Sequence, residues 1–323
     1  MKLIGPVPHG GKWGFLSESG DWAIEPKFEI LGEFREGLAG FGEQQRLGFI
    51  DQHAEVVIKP QFKLEYPFPI WGFREGLAPV QPDCTTYINR DGEVVLALPP
   101  SGRGWHFVNG RALSMDFQGG YSVIDIQGKT LSTLPIFEAP FLPDWPKDWR
   151  CFNCWFRTDR FRAGAINGQG EILFEPKYEA LGNFVEGVAG FSTGDETGGW
   201  GLVRLTGEVV LEPSLFSIGE FSEGLAPAAK TKREFGFINP NGEWVIEPMY
   251  SQAQPFSEGL ACVALKRRGF RGFIDAKGEM VVEPRFDRDA GFRDGFAQVE
   301  YEGKHAVIDK SGRVIWETNI ASE

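Results

Sequence analysis

A short phrase recurs along the whole chain at intervals of 34 to 42 residues, and this repeat constrains the fold more than any other feature. Its centre is an aromatic-Gly step followed by apolar residues, as in Trp13-Gly14-Phe15-Leu16 and Phe235-Gly236-Phe237-Ile238. The equivalent positions are Gly14, Gly48, Thr86, Ser122, Gly164, Gly201, Gly236, Gly272 and Ala306. The spacing predicts nine repeats of about 36 residues.

Two further phrases keep a fixed place in the repeat. One is an apolar run that ends in Glu-Pro or Lys-Pro, and the other is Phe-x-Glu-Gly-Leu-Ala. These phrases predict three strands in each repeat, with the sequences Leu-Ala-x-Val, x-Gly-Phe-Ile-Asp and Val-Val-Ile-Glu-Pro. We expect Pro to end the third strand, because it cannot donate to a β-ladder.

The second and third predicted strands are joined by a turn with Asp or Asn first and Gly fourth, such as Asn239 to Gly242 and Asp275 to Gly278. The leading side chain can accept a backbone N–H, and Gly can take the left-handed conformation of a bulged hairpin. One side-chain ligand per turn is too few for a calcium loop. Two aromatic residues follow in each repeat, one just after Pro and one before Glu-Gly, and we expect them to pack between neighbouring repeats.

These phrases resemble the WG-repeat (KWG-repeat) family of bacterial proteins, and the resemblance covers essentially the whole chain. It is specific in repeats 1, 2, 6, 7 and 8, loose in repeats 3, 4 and 9, and poor in the first half of repeat 5. The resemblance implies an all-β repeat array that binds other proteins. It supplies no catalytic motif.

We interpret the chain as one array over residues 1–323 of about nine three-stranded units. Leu3 to Val7 resembles a first strand and Val314 to Trp316 a third, so the chain begins and ends on whole units. This favours an open β-solenoid or superhelix over a propeller-like ring. The expected units are 1–37, 38–76, 77–110, 111–150, 151–187, 188–224, 225–259, 260–295 and 296–323, with a divergent aromatic-rich insertion at 135–163.

The charge balance is 33 basic against 45 acidic residues, a formal net charge of −12. This argues against a nucleic acid or an anionic membrane as the partner and suits a basic one, although it would also serve solubility alone. The sequence shows no targeting signal and no apolar run long enough to cross a bilayer. Four cysteines do not form a disulfide framework, so we expect a cytoplasmic protein, and a monomer.

Two short motifs could suggest chemistry. Gly190-Phe-Ser192-Thr-Gly194 matches a nucleophile elbow, but a strand rather than the required helix is expected to follow. Cys151-Phe-Asn-Cys154 is a lone pair of cysteines, whereas structural zinc needs a second pair. The four histidines lie in different units. We therefore predict no catalytic residue, no metal and no cofactor.

The departures from the repeat carry the candidate binding residues. Basic residues gather in several loops between the first and second strands, and three Trp and three Phe lie within sixteen residues of the insertion. Aromatic and Arg residues dominate binding hot spots. Two plainer interpretations stay open: hairpin loops carry charge in general, and the insertion covers a defect in the stack. The candidates are Trp145, Trp149, Trp155, Phe156, Arg157, Arg160, Lys232, Arg233, Arg267 and Arg268.

These observations predict a non-enzymatic scaffold that binds another macromolecule, most simply a protein. One version is an immunity protein or inhibitor that wraps a cognate bacterial toxin. The alternative is a small-ligand or glycan binder that uses exposed Trp side chains.

Overall fold

The computed structural model of the protein describes residues 2–64, 72–80, 84–99, 102–116, 118, 120–134, 154–157, 162–166, 171–194, 199–265 and 269–320. Within these ranges the regular structure is β, with no α-helix. The chain divides into two compact parts. The N-terminal half is Met1–Phe152 with Gly168–Glu171 and Glu323, and the C-terminal half is Asn153–Asn167 with Ile172–Ser322.

The described strands of the N-terminal half form four sheets of three or four strands. The first two sheets are β1 (Leu3–His9), β2 (Lys12–Ser17) and β3 (Trp22–Phe28), then β4 (Ile30–Arg35), β5 (Leu38–Glu43), β6 (Arg46–Ile50) and β7 (Val56–Lys63). The next two are β8 (Ala78–Val80), β9 (Thr86–Ile88) and β10 (Val94–Ala97), then β11 (Arg103–Gly104), β12 (Arg111–Met115), β13 (Tyr121–Asp125) and β14 (Thr130–Leu134).

The C-terminal half also contains four described sheets, one of which has seven strands. The first two are β15 (Cys154–Arg157), β16 (Ala163–Ile166) and β17 (Ile172–Tyr178), then β18 (Ala180–Leu181), β19 (Val188–Ser192), β20 (Trp200–Arg204) and β21 (Val209–Leu215). The seven-stranded sheet is β22 (Ser217–Ile218), β23 (Ala226–Thr231), β24 (Glu234–Ile238), β25 (Trp244–Ala253), β26 (Ala261–Leu265), β27 (Arg271–Ile274) and β28 (Met280–Phe286). The last is β29 (Arg288–Arg293), β30 (Phe296–Tyr301), β31 (Lys304–Asp309) and β32 (Val314–Asn319).

Three described sheets have the predicted three strands, but the prediction is wrong for the others, because there the connector after Pro contributes a strand to the next sheet. This connector strand is β4 in the sheet β4–β7 and β29 in the sheet β29–β32. We name the other three strands of a sheet, in chain order, the Leu-Ala, aromatic-Gly and Glu-Pro strands. In the seven-stranded sheet, the long strand β25 is the Glu-Pro strand of one repeat and pairs onward with β26 of the next.

The open β-solenoid of nine units is also wrong, since the fold is that of a β-propeller. Every sheet of the described strands is antiparallel, with its strands in chain order. Four-stranded antiparallel sheets of this kind are propeller blades. Starting and ending on whole units therefore did not discriminate between the two architectures, because a blade such as β29–β32 is built from one continuous stretch of chain.

The Gly of the aromatic-Gly step is required by the shape of the neighbouring Glu-Pro strand. The register of β24 and β25 shifts between Phe237 and Ile238 and again between Phe235 and Phe237. These bulges press the backbone of β25 onto Gly236, whose added Cβ would lie 2.2 Å from the carbonyl oxygen of Ile246. Pro248 lies inside β25, so Pro belongs to a bulge and does not end the strand as predicted.

Aromatic side chains pack the sheets against one another, as predicted. Where Phe follows the Gly of the aromatic-Gly step, its ring meets the Phe two residues before the Glu-Gly or Asp-Gly pair that leads into the next sheet, with ring centroids 4.9 Å apart for Phe49 and Phe73 and 4.7 Å apart for Phe273 and Phe292. Such pairs add about 0.5–1.5 kcal/mol beyond the burial of their area. Side chains thus join sheets that share few backbone hydrogen bonds.

Candidate interaction surface

The two ends of each sheet have different local structure. The Glu-Gly turn leads from the connector strand to the Leu-Ala strand, and the Asp/Asn-x-x-Gly turn leads from the aromatic-Gly strand to the Glu-Pro strand. Because the strands are antiparallel, both turns lie at one end, which we call the turn end. The hairpin loops between the Leu-Ala and aromatic-Gly strands, together with the connectors, lie at the other, which we call the loop end.

Glu and Gly form the two central residues of a tight hairpin at the turn end. Glu223 has a φ of 55° and Gly224 a φ of 83°. Two consecutive positive φ angles define a type I′ turn, whose twist matches that of the flanking strands. Asn and Asp tolerate the first position better than Glu does. Repeated use of Glu there therefore indicates a second role for its side chain.

That role is a hydrogen bond from one repeat to the next. The Glu36 carboxylate accepts from the backbone N–H groups of Glu75 (2.6 Å) and Gly76 (3.0 Å). Glu75 in turn accepts from the N–H groups of Asn109 and Gly110. In the C-terminal half, the N–H groups of Gly224, Gly259 and Gly295 donate to Glu186, Glu223 and Glu258. We call this series the carboxylate ladder.

The ladder satisfies backbone donors that the type I′ turns leave unpaired, and bonds to a charged acceptor are stronger than neutral ones. Burial alone would raise the pKa of Glu258, but hydrogen bonds from Gly295, Lys310 and Asp294 outweigh it and lower that pKa. The Lys310 ammonium lies 3.1 Å from the Glu258 carboxylate. These carboxylates are therefore engaged in holding repeats together. The sequence contains a signal for these carboxylates, namely Glu at a position where a type I′ turn prefers Asn.

The Asp/Asn-x-x-Gly turn forms as predicted. Asn239 Oδ1 accepts from the N–H groups of Asn241 and Glu243, at 3.0 and 3.1 Å. Gly242, with a φ of 81°, takes the left-handed position. A Cβ at Gly242 would lie 3.3 Å from the Cβ of Leu211 in the preceding repeat. This turn is also a contact between repeats.

One titratable side chain near the turn end is buried. His106 is 6% exposed and lies just before the Phe107 to Gly110 turn of its repeat. Burial, with the nearby charges of Arg74 and Arg35, lowers the pKa of His106 from 6.5 to about 3. The imidazole is therefore neutral at physiological pH, and its environment disfavours acid–base cycling.

Two of the predicted binding residues lie at the loop end of the seven-stranded sheet. Lys232 and Arg233 form the tip of the β23–β24 hairpin, between the paired residues Thr231 and Glu234, and both are exposed. Lys230, just below the tip, lies 3.7 Å from the Glu247 carboxylate and 5.2 Å from the Trp244 ring centroid. The hairpin therefore extends a basic tip beyond an ion pair that fixes its base.

Exposed apolar side chains lie at the same end of the sheet as this hairpin, Phe216 on the Lys230 face and Leu265 and Phe270 on the opposite face, and the sequence analysis missed them. Phe216 is 51% exposed, Met249 55%, Leu265 40% and Phe270 39%. A signal existed for Met249, since the residue after Pro is Lys27, Gln61, Lys177, Ser214 or Arg285 in the other repeats. We call these four residues, together with Lys230, Lys232 and Arg233, the loop-end patch.

The remaining predicted residues are not tested. Trp145, Trp149, Arg160, Arg267 and Arg268 lie outside the described residues. Trp155, Phe156 and Arg157 belong to β15, whose backbone pairs with β16, and their side chains lie outside the description. The aromatic insertion therefore stays a prediction.

The alternatives to a protein surface find little support in the described part of the chain. The six described Trp side chains are buried or half-buried, so none is displayed as a stacking platform. No group of three or more His, Cys, Asp or Glu residues there could hold a metal ion. Ser192 ends β19, and a strand, β20, comes next. No helix among the described residues is long and apolar enough to cross a membrane.

Comparison with known families identifies the repeat. The profile of the WG containing repeat family matches more than half of the chain. The matches are at residues 13–42, 48–81, 164–196, 200–232, 235–266 and 272–304. The protein therefore belongs to the WG containing repeat family, which confirms the predicted resemblance.

Comparison with solved structures identifies the fold. The crystal structure of a eukaryotic initiation factor is 11% identical, with a TM-score of 0.62 over 95% of this chain and 93% of that one. This likeness over nearly the whole chain overturns the open solenoid. The computationally designed Ika8 protein (12% identity, TM-score 0.44, 90% and 86% coverage) and BamB from Moraxella catarrhalis (12%, 0.37, 97% and 94%) also match, more distantly. No curated protein matches the sequence.

Proposed function

We propose that the protein is a non-enzymatic scaffold that binds another protein through the loop end of its sheets. The observation that carries the proposal is the contrast between the two ends. Recurring carboxylates and glycines at the turn end make contacts between repeats, and the exposed apolar residues there are mostly Val at the start of Glu-Pro strands, whereas the loop end of the seven-stranded sheet combines a basic hairpin tip with exposed Phe, Met and Leu side chains. Clusters of this composition mark protein-binding surfaces.

An inhibitor or immunity protein for a cognate toxin is the specific version that we propose. A net charge of −12 suits a basic partner at long range, while the local patch provides the contacts. A glycan-binding role through Trp has less support, because the described Trp side chains are buried or half-buried.

The test is affinity capture from the native cell lysate, followed by reconstitution with the purified candidate partner. We expect one partner that forms a complex of fixed stoichiometry in size-exclusion chromatography with light scattering. Recovery of no protein partner, together with quenching of Trp fluorescence by a defined glycan, would replace the proposal with the glycan-binding role.

A further inference from the structure

Three Asn-Gly pairs occur in the chain, at Asn109-Gly110, Asn167-Gly168 and Asn241-Gly242. The second pair lies outside the described residues. In such a pair the backbone nitrogen of Gly can attack the side-chain amide carbon of Asn, because Gly has no Cβ to hinder the approach. An exposed Asn-Gly pair is therefore chemically labile unless the fold restrains it.

The fold restrains the first pair through the carboxylate ladder. Asn109 and Gly110 are the two central residues of a type I′ turn, with φ angles of 51° and 72°. The Gly110 N–H donates to Glu75 Oε2 of the preceding repeat at 2.8 Å, and the Asn109 N–H donates to Glu75 Oε1. The nitrogen that would attack the Asn109 side chain is therefore held by a carboxylate from another repeat.

Water has access to the same turn. Asn109 is exposed, and no described residue other than the two chain neighbours places an atom within 4 Å of where a Cβ on Gly110 would stand. The restraint on this pair is thus the hydrogen bonding to Glu75 and not burial.

The turn of Asn109 also differs chemically from the other described turns of the ladder. Those turns carry a carboxylate at the same position, in Glu36, Glu75, Glu186, Glu223, Glu258 and Asp294. Among the described turns of the ladder, the one at Asn109 therefore carries the amide that a deamidation consumes.

We infer that Asn109 is a deamidation site that the Glu75 carboxylate keeps unreactive in the folded protein. In the reaction the Gly110 nitrogen loses its proton and bonds to the side-chain carbonyl carbon of Asn109. The bond from that carbon to the amide nitrogen breaks, and ammonia leaves with the proton. One water then opens the cyclic imide at either carbonyl, which leaves aspartate or isoaspartate at position 109. The inference is independent of the proposed protein binding.

Glu75 opposes the first step in two ways. Its hydrogen bond engages the N–H whose proton must leave, and loss of that proton would place a second negative charge beside the carboxylate. The two bonds to Glu75 also hold the turn in its type I′ geometry. The reaction then proceeds from the opened turn, at a rate set by how often these bonds break.

Deamidation would weaken the contact that Glu75 makes. Both products add a negative charge next to the Glu75 carboxylate, and like charges at this distance repel. Isoaspartate also lengthens the backbone of the turn by one CH₂ group, which moves the Asn109 and Gly110 N–H groups relative to each other. Glu75 thus protects the chemistry of the turn as well as its geometry.

The test follows deamidation of the full chain by mass spectrometry of its peptides, at pH 8, in buffer and in urea. In the wild type we expect Asn109 to react at least about tenfold more slowly in buffer than in urea. Glu75→Ala should raise the rate in buffer about fivefold, because the opened turn becomes more populated, and Glu75→Gln, an uncharged acceptor, should lie between. Equal rates for the wild type in buffer and in urea would overturn the inference.

Two controls separate the Glu75 contact from a general loss of stability. Glu36→Ala removes the neighbouring bonds of the ladder but keeps the acceptor of the Gly110 N–H, so its Asn109 rate should stay within about twofold of the wild type. Asn241 is the internal reference, because the Gly242 N–H donates to the Asn239 carbonyl (2.9 Å) and not to Glu75. Its rate should be the same in every variant. An equal rise in Glu36→Ala and Glu75→Ala, or a rise at Asn241 as large as at Asn109, would refute the protective role of Glu75.

Discussion

The turn end and the loop end of the same sheets serve opposite needs. At the turn end, Glu36 and Glu223 use their carboxylates to bind the backbone of the next repeat, and the same two-residue turn recurs in both halves. At the loop end, the β23–β24 hairpin ends in Lys232 and Arg233, and exposed apolar residues surround it. The recurring carboxylates thus join neighbouring repeats, whereas the residues at the hairpin tips of the loop end differ from repeat to repeat. Substitutions should therefore change stability at one end and binding at the other.

The largest effect on stability is expected inside the sheets that connect the two ends. Gly236→Ala should lower the free energy of unfolding by about 3 kcal/mol, because the methyl group would meet the Ile246 carbonyl oxygen at 2.2 Å. Urea denaturation followed by intrinsic fluorescence measures the loss. In Gly182→Ala the methyl group stands 3.5 Å from the Gly190 carbonyl, and we expect a change within about 1 kcal/mol. Equal losses would refute the steric role of the aromatic-Gly step.

The buried imidazole near the turn end should make stability depend on pH. The unfolded chain takes up the His106 proton near pH 6.5, whereas the folded chain takes it up only near pH 3. Its contribution to stability is therefore full above pH 6.5 and is lost as the pH falls from 6.5 to about 3. At pH 5 the loss is about 2 kcal/mol.

Unfolding by urea at pH 8 and pH 5 checks this dependence. His106→Gln should lose about 2 kcal/mol less than the wild type between the two pH values. His53→Gln, which changes an exposed histidine, should follow the wild type. A parallel loss in all three proteins would show that His106 is protonated in the folded state.

A smaller effect is expected from single bonds of the carboxylate ladder. Glu36→Ala removes the acceptor of two backbone donors in the next repeat and should cost about 1 kcal/mol, since the site is exposed. Glu25→Ala, an exposed residue on the Glu-Pro strand β3, is the matched control and should be neutral. Native-state hydrogen exchange at the Glu75 and Gly76 amides should speed up in the first variant only. Unchanged exchange would contradict the ladder.

The features that could be predicted from the sequence are those written within a few neighbouring residues. The Asn239 to Gly242 turn follows from an Asn, a Gly and their spacing, and the aromatic packing follows from a Phe at a fixed place in each repeat. The two-residue strand Ser217–Ile218 was missed because it is too short to show alternation, and only its pairing with Ala228 and Ala229 defines it. The propeller fold likewise depends on how whole sheets pack, which no local pattern records.

The candidate site was predicted in part for the same reason. The charges of Lys232 and Arg233 stood out in a loop, and the structure places them at an exposed tip. The apolar members Phe216 and Phe270 could not be recognised, because in a chain with 28 Phe only burial distinguishes a displayed ring from a core ring. Whether the aromatic insertion at 135–163 binds a partner stays a prediction.

The smallest effect on stability is expected at the tip of the β23–β24 hairpin, and this prediction tests the difference between the two ends most directly. K232E/R233E changes two exposed side chains of a hairpin whose base is held by Lys230 and Glu247, so the free energy of unfolding should change by less than about 0.5 kcal/mol. The same variant should lose about tenfold in affinity for the protein partner captured from the lysate. Urea denaturation and a binding titration, measured on one preparation, give both values. A variant that binds normally but unfolds more easily would assign these residues to the scaffold and abolish the division between the ends.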